Sequence, residues 1–268
     1  MRISNFLVVT IAVKAMLIWA PVSAWAQSDN GPQAPSIESK DTAKELSSGV
    51  VRETSIPTLR APGKIVLGII SSDSKNDFES KIAPFFKEQW ANCSSCELRN
   101  LSTYDEKGNF NDKLQPAQLE AAVDGLQFLL INVNWRYKAE EHKPLADLLK
   151  KLMAKNILIL GAAGYPKEGE SSAPLSRTLL SQVPDLIIIG EINERERLLG
   201  SSYFGPEMLT AIKPPREYIG KGLGPSFFAA KLAQNYTRKL PVDWLSHFRT
   251  QKMKSRKIWP QVEEFFQR

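Results

Sequence analysis

Ser226 lies in Gly222-Leu223-Gly224-Pro225-Ser226-Phe227-Phe228-Ala229-Ala230, a glycine-rich turn that runs into an apolar stretch. A serine hydroxyl is a weak nucleophile at neutral pH. It needs a base within hydrogen-bond reach, and that base needs orienting. The chain offers few. Its two histidines are His142, in the charged run Glu140-Glu141-His142-Lys143-Pro144 before a helix, and His247, near the C-terminus. Both read as surface or cap residues. Lys221 is close to Ser226 in sequence, but a lysine serves as a base near pH 7 only when desolvated. Its glycine neighbours, Gly220 and Gly222, give no sign of that. Asp73 closes the first apolar run and is the nearest candidate carboxylate. Ser226 also has a plainer reading, as a helix N-cap.

Cys93 and Cys96 are the only two cysteines, which excludes a disulfide-dense scaffold. The spacing Cys93-Ser94-Ser95-Cys96 reads as a disulfide closing a small loop. A thioredoxin-type redox motif would follow a strand and open a helix, whereas here a helix-like run ending at Trp90 precedes it and a strand-like run follows. A zinc site would need two further ligands nearby, and none is visible. No metal and no cofactor is expected.

The elements that must position these residues begin after an address segment. Met1-Arg2 opens a short positive region, Phe6 to Ala20 is apolar apart from Lys14, and Ala24-Trp25-Ala26 is a small-x-small pattern. This reads as an export signal cleaved before Gln27, the alternative being an uncleaved anchor. The mature chain is then periplasmic or secreted, where a disulfide persists. Residues 27–62, rich in Ser, Pro, Gly and charge, read as a flexible linker.

From Lys64 the pattern alternates. Strands are expected at Ile65–Ile70, Glu97–Leu101, Phe128–Val133, Ile157–Leu160 and Leu186–Ile189. Helices are expected from Asn76 or Asp77 to about Trp90, and over Leu114–Val123, Leu145–Met153 and Phe227–Tyr236. Continuous apolar strands separated by helices predict a parallel sheet covered on both faces. Such sheets carry their sites at the carboxyl ends of the strands, which singles out Ser71 to Asp73, Asn132 to Trp135 and Ala162 to Tyr165.

The chain has 268 residues, 43% hydrophobic and 24% charged. That is ordinary globular usage and excludes both a wholly disordered chain and a multi-span membrane protein. The net charge of +6 says little about partners.

Three stretches in order resemble the subtilisin-like serine proteases (subtilases). Asn156 to Gly169, with Gly161-Ala162-Ala163-Gly164-Tyr165, is similar to the strand that ends A-A-G-N. Val183 to Gly190, then Tyr203-Phe204-Gly205-Pro206-Glu207, is similar to the strand P-x-V-I-x-V-G-A and the later S-x-x-G-P turn. Gly222 to Ala230 resembles the nucleophile motif G-T-S-M-A-x-P. Upstream, Lys64 to Ser72 resembles the first strand, which ends V-I-D-S-G, and Gln127 to Asn134 resembles V-I-N-M-S. The likeness covers about residues 64–236. It implies a three-layer α/β sandwich with a mainly parallel sheet, subtilisin-like, over residues 63–240, followed by a basic and aromatic helical segment over 241–268.

The same resemblance implies a degenerate site. Ser71 stands at the aspartate position, with Asp73 two residues on. No histidine stands at the H-G-T-H position, near Asp77-Phe78-Glu79. Tyr165 replaces the oxyanion asparagine, and Ser226 alone is kept. Loss of triad members costs roughly 10⁴ to 10⁶ in turnover. The expectation is therefore an exported pseudoprotease that binds a peptide or protein. The alternatives are a serine hydrolase using Ser226 with a non-standard base, and an unrelated doubly wound sheet binding a small ligand. No nucleic-acid partner is expected. Arg249, Lys252, Lys254, Arg256 and Lys257, interleaved with aromatics, suggest an anionic surface contact or a C-terminal helix packing its aromatics on the core.

Overall fold

In the computed structural model the described residues are 63–164, 174–199, 202–237, 239–255 and 257–266. They belong to one compact unit, Leu59–Arg268. The export signal and the linker expected over residues 1–62 lie outside the described residues, as does Tyr165.

Six strands form one sheet in the order β2-β1-β3-β4-β5-β6: β1 Ile65–Ser71, β2 Cys96–Asn100, β3 Phe128–Asn132, β4 Leu158–Ala162, β5 Ile187–Glu191 and β6 Met208–Ile212. Every pairing is parallel, so the sheet is wholly rather than mainly parallel. β1, β4, β5 and β6 are buried along their whole length, and each has helices or packed loops on both sides. Alternate residues feed two cores, as the two-residue strand period requires. Leu67, Ile69, Phe128, Leu130, Leu160 and Ile189 point to one. Ile70, Leu129, Ile131, Ile159 and Ile188 point to the other. The protein is a three-layer α/β sandwich.

The first face is covered by a continuous helical run, by α5 Gly224–Gln234 and by α6 Pro241–Ser255. The run comprises α1 Lys75–Asp77, a π-helical turn Phe78–Ile82 and α2 Ala83–Gln89. The second face is covered by α3 Pro116–Ala122 and α4 Ala139–Ala154. α5 is buried from Gly224 through Ala230. It packs over the sheet on Ala229, Ala230 and Ala233, small residues that let a helix approach closely.

Four local expectations are corrected. The run at Lys75 is capped by Ser74, whose hydroxyl accepts the Asp77 amide at 3.1 Å. Neither Asn76 nor Asp77 is the cap, because Asp77 serves Ser74 reciprocally from the third helical position. His142 lies inside α4, not in a loop before it. The helix runs through Pro144 and forfeits the one bond a proline cannot make. α5 begins at Gly224 with Leu223 as its cap, which makes Ser226 its third residue and not its N-cap. Finally, β6 was not expected at all.

Cys93 and Cys96 form a disulfide, with Cα atoms 5.4 Å apart, between the end of α2 and the start of β2. In the C-terminal segment Trp244, Phe248 and Phe265 are buried in the first core. Its basic run is partly used by the fold. The Lys252 ammonium donates to the Leu209 carbonyl on the edge strand β6, and burial pushes its pKa down. Lys257 pairs with Glu264 at 2.8 Å. Among the described residues no helix is long and apolar enough to cross a membrane.

Candidate functional site

A cleft of about 680 Å³ opens at the carboxyl ends of β1, β3, β4 and β5. Its walls come from the segments that sequence and topology singled out. Ser72 and Asp73 follow β1, Asn132 to Trp135 follow β3, and Ala162 to Gly164 end β4. Pro225, beside Ser226, lines the opposite wall with Gly220, Lys221 and Gly222.

The expected residues fare differently. Ser71 is fully buried at the end of β1. Its amide donates to the Ser102 hydroxyl at 2.9 Å, and its own hydroxyl donates to the Asp73 carboxylate. Asp73 faces the cleft with one oxygen held by that bond. Ser226 is 0% exposed and is not among the residues lining the cleft. Its hydroxyl has no hydrogen-bond partner among the described residues. A serine nucleophile needs access to substrate and a base in reach; among the described residues Ser226 meets no base and does not line the cleft.

Neither histidine reaches the cleft wall. His142 Nδ1 accepts the Lys138 amide at 3.0 Å, and its ring sits 6.3 Å from that of Trp135. His247 Nε2 lies 2.9 Å from the Phe265 carbonyl. Lys221 is exposed, its ammonium 5.4 Å from the Tyr218 ring centroid. That is not the desolvated setting in which a lysine becomes a base. Among the described residues no three of His, Cys, Asp and Glu come together as metal ligands would.

Two cleft residues carry more of the architecture than the sequence suggested. Asn134 is buried, and its amide nitrogen donates to the Ala163 carbonyl and the Thr178 hydroxyl, both at 3.0 Å. Its amide oxygen accepts from Leu180 N–H at 3.3 Å. These bonds tie the end of β3 to β4 and to the segment beyond it. Gly164 permits this closeness, because its φ is +78° and a Cβ there would stand 2.6 Å from Asn134 Cβ.

Glu191 ends β5 and is 2% exposed. One carboxylate oxygen accepts the Gly220 amide and the other the Gly224 amide, each at 2.8 Å. Burial pushes its pKa up, while backbone donors at Gly224, Gly220, Gly222 and Leu223 pull the other way. The carboxylate thus caps α5 from a neighbouring strand. The available sequence signal was an acidic residue ending the otherwise apolar strand Leu186 to Gly190.

No family model matches the sequence, and no curated protein matches it. Solved structures do. A cold-adapted subtilisin-like serine proteinase is similar with a TM-score of 0.49 and 11% identity, over 70% of this chain and 82% of that one. A lanthipeptide protease is similar with a TM-score of 0.49 and 11% identity, over 75% of this chain and 86% of that one. Both similar structures are of proteases, the first of them subtilisin-like.

Proposed function

We propose that this chain is an exported, non-hydrolytic binding protein whose cleft takes a peptide or a protein segment. The observation that carries the reading is the state of Ser226. Its hydroxyl is fully buried and has no partner among the described residues. Acyl transfer needs that oxygen exposed to a carbonyl and joined to a base. Residues 132–135 and 162–164 bound the cleft, and a peptide or protein segment would lie along them.

Export rests on the N-terminal pattern of Met1-Arg2, the apolar run and Ala24-Trp25-Ala26, with the Cys93–Cys96 disulfide suited to an oxidising compartment. An anionic surface contact through the basic run would fall to Arg249 and Lys254, since Lys252 and Lys257 are engaged within the fold.

The test is fluorophosphonate labelling of the mature protein beside Ser226→Ala, with an active subtilase labelled in parallel. No labelling of the folded chain is expected, and peptide capture on an immobilised library follows. Labelling that disappears in Ser226→Ala would overturn the reading in favour of a serine hydrolase with a non-standard base.

A further inference from the structure

We infer that the outward face of α6 and the bend after it dock this chain on an anionic lipid surface, with Met253 and Ile258 entering the bilayer. The inference rests on the anionic surface contact proposed above and names its partner and the residues that hold it.

Exposed apolar side chains gather at this helix. Five large ones stand exposed among the described residues, and four of them, Leu240, Val242, Met253 and Ile258, belong to α6 or its flanks. Met253 and Ile258 are the most exposed, at 72% and 77%. A single exposed apolar residue is ordinary, whereas a group of them marks a contact. The inner face of α6 is already used, because Trp244, Leu245 and Phe248 are buried in the first core. On the other face Val242, Ser246, Arg249 and Met253 follow at i, i+4, i+7 and i+11, and all four are exposed. The helix has 15 residues and is roughly 22 Å long, so this face is apolar near both ends with a guanidinium between.

Charge decides the partner. Residues 239–258 carry six basic side chains and one acidic, Asp243. Lys252 and Lys257 are taken by the Leu209 carbonyl and Glu264, and Lys239 lies over the Trp244 ring, 5.3 Å from its centroid. Arg249 and Lys254 are exposed on either side of Met253. Asp243 and, on the 3-10 turn that follows, Glu263 are the exposed charges of opposite sign. A nucleic-acid surface of this kind would offer aromatics for base stacking, and here Trp244 and Phe248 are turned inward. An acidic protein would have to supply a pocket for each exposed aliphatic side chain. A bilayer accepts Met and Ile anywhere along its surface, beneath negative headgroups that attract Arg249 and Lys254. Since the core holds the inner face of α6, only the protruding side chains enter, and docking is peripheral and reversible.

The experiment sediments the full mature chain with phosphatidylcholine vesicles, with and without phosphatidylglycerol. Binding is expected to vesicles that hold the anionic lipid, and it weakens as salt is raised. Met253→Ser/Ile258→Ser is expected to lose roughly tenfold in affinity per side chain. Arg249→Gln/Lys254→Gln is expected to lose about fivefold per charge. All four positions are exposed, so the Tm of each variant is expected to match the parent's. A parent chain that binds neither kind of vesicle overturns the inference. So does a Met253→Ser/Ile258→Ser chain that binds like the parent, because the contact is then electrostatic alone and the anionic surface reading stands without a bilayer. Equal binding of the parent to polyaspartate and to anionic vesicles would assign the face to an acidic protein instead. None of these four residues lines the cleft, so peptide capture by the same variants tests the cleft separately.

Discussion

Glu191 and Gly224 meet across the top of the sheet, carboxylate oxygen to amide nitrogen at 2.8 Å, and the second oxygen repeats the bond to Gly220. Bonds to a charged group contribute about 1.5–3 kcal/mol each when made, and buried donors cost energy when left without an acceptor. Glu191→Ala is therefore expected to lower stability by about 2–4 kcal/mol, read from urea unfolding with the slope unchanged. A loss within error of zero would mean that water replaces the carboxylate without penalty.

The same junction is intolerant from the other side. Gly224→Ala would press a methyl group against the Ile212 carbonyl oxygen and Glu191 Cβ. Overpacking of this kind costs about 1–3 kcal/mol, more than the helix propensity that alanine gains. Denaturant unfolding of the variant checks the sign, and a stabilised Gly224→Ala would show that β5 and α5 can part without cost.

How much of this was legible in the sequence follows from what each feature is made of. β1, β3, β4 and β5 were legible because buried parallel strands are apolar without interruption, as in Ile65–Ile70 or Ile187–Ile189. β6 was not. Met208–Ile212 is five residues long with Thr210 at its centre, and Lys213-Pro214-Pro215 after it reads as loop. The cleft segments were legible from the rule that places sites at strand carboxyl ends. Glu191 was not, because its partners are backbone amides 29 and 33 residues away, and an amide leaves no mark in a sequence. The motif around Ser226 reads as a helix start with the serine at its cap, but Leu223 caps the helix and Ser226 lies one turn inside the packing.

The pH dependence of stability is set at the cleft by Glu191. Burial raises its folded pKa above the ordinary 4.5. The folded state then holds a proton more tightly than the unfolded state. The stability this contributes is fully present below about pH 4.5 and is lost as pH rises through the folded pKa. Glu191→Gln does not titrate. The difference in unfolding free energy, parent minus variant, is expected to fall as pH is raised from 4.5 toward neutrality. A flat difference would show that the backbone donors fully offset burial.

Glu264 has the opposite sign. Lys257 and the Gln261 amide hold its pKa down to about 2. Its contribution is present above the ordinary 4.5 and is lost as pH falls through about 2. What it holds is the 3-10 turn Val262–Phe266, whose Phe265 ring lies 5.4 Å from Phe228 on α5 and 6.0 Å from Phe248 on α6. Phe265→Ala is expected to cost about 3–5 kcal/mol. Glu264→Gln is expected to increase hydrogen exchange in residues 262–266 while leaving the sheet protected. Unchanged exchange there would assign the turn to its aromatic contacts alone.

Ser226→Ala separates a kept fold element from a kept catalyst. A buried hydroxyl without a partner costs about 1–3 kcal/mol relative to one that is bonded. Alanine removes that group, keeps the β-carbon and is the better helix former at the third position of α5. The variant is therefore expected to be more stable than the parent, by about 1 kcal/mol or roughly 2–4 °C in Tm, measured by scanning fluorimetry and urea unfolding. Peptide capture by the cleft is expected to be unaltered, because Ser226 is not among the residues lining it. A destabilised Ser226→Ala would mean that the hydroxyl finds a partner in solution, and the base able to activate it would then have to be sought among that partner's neighbours.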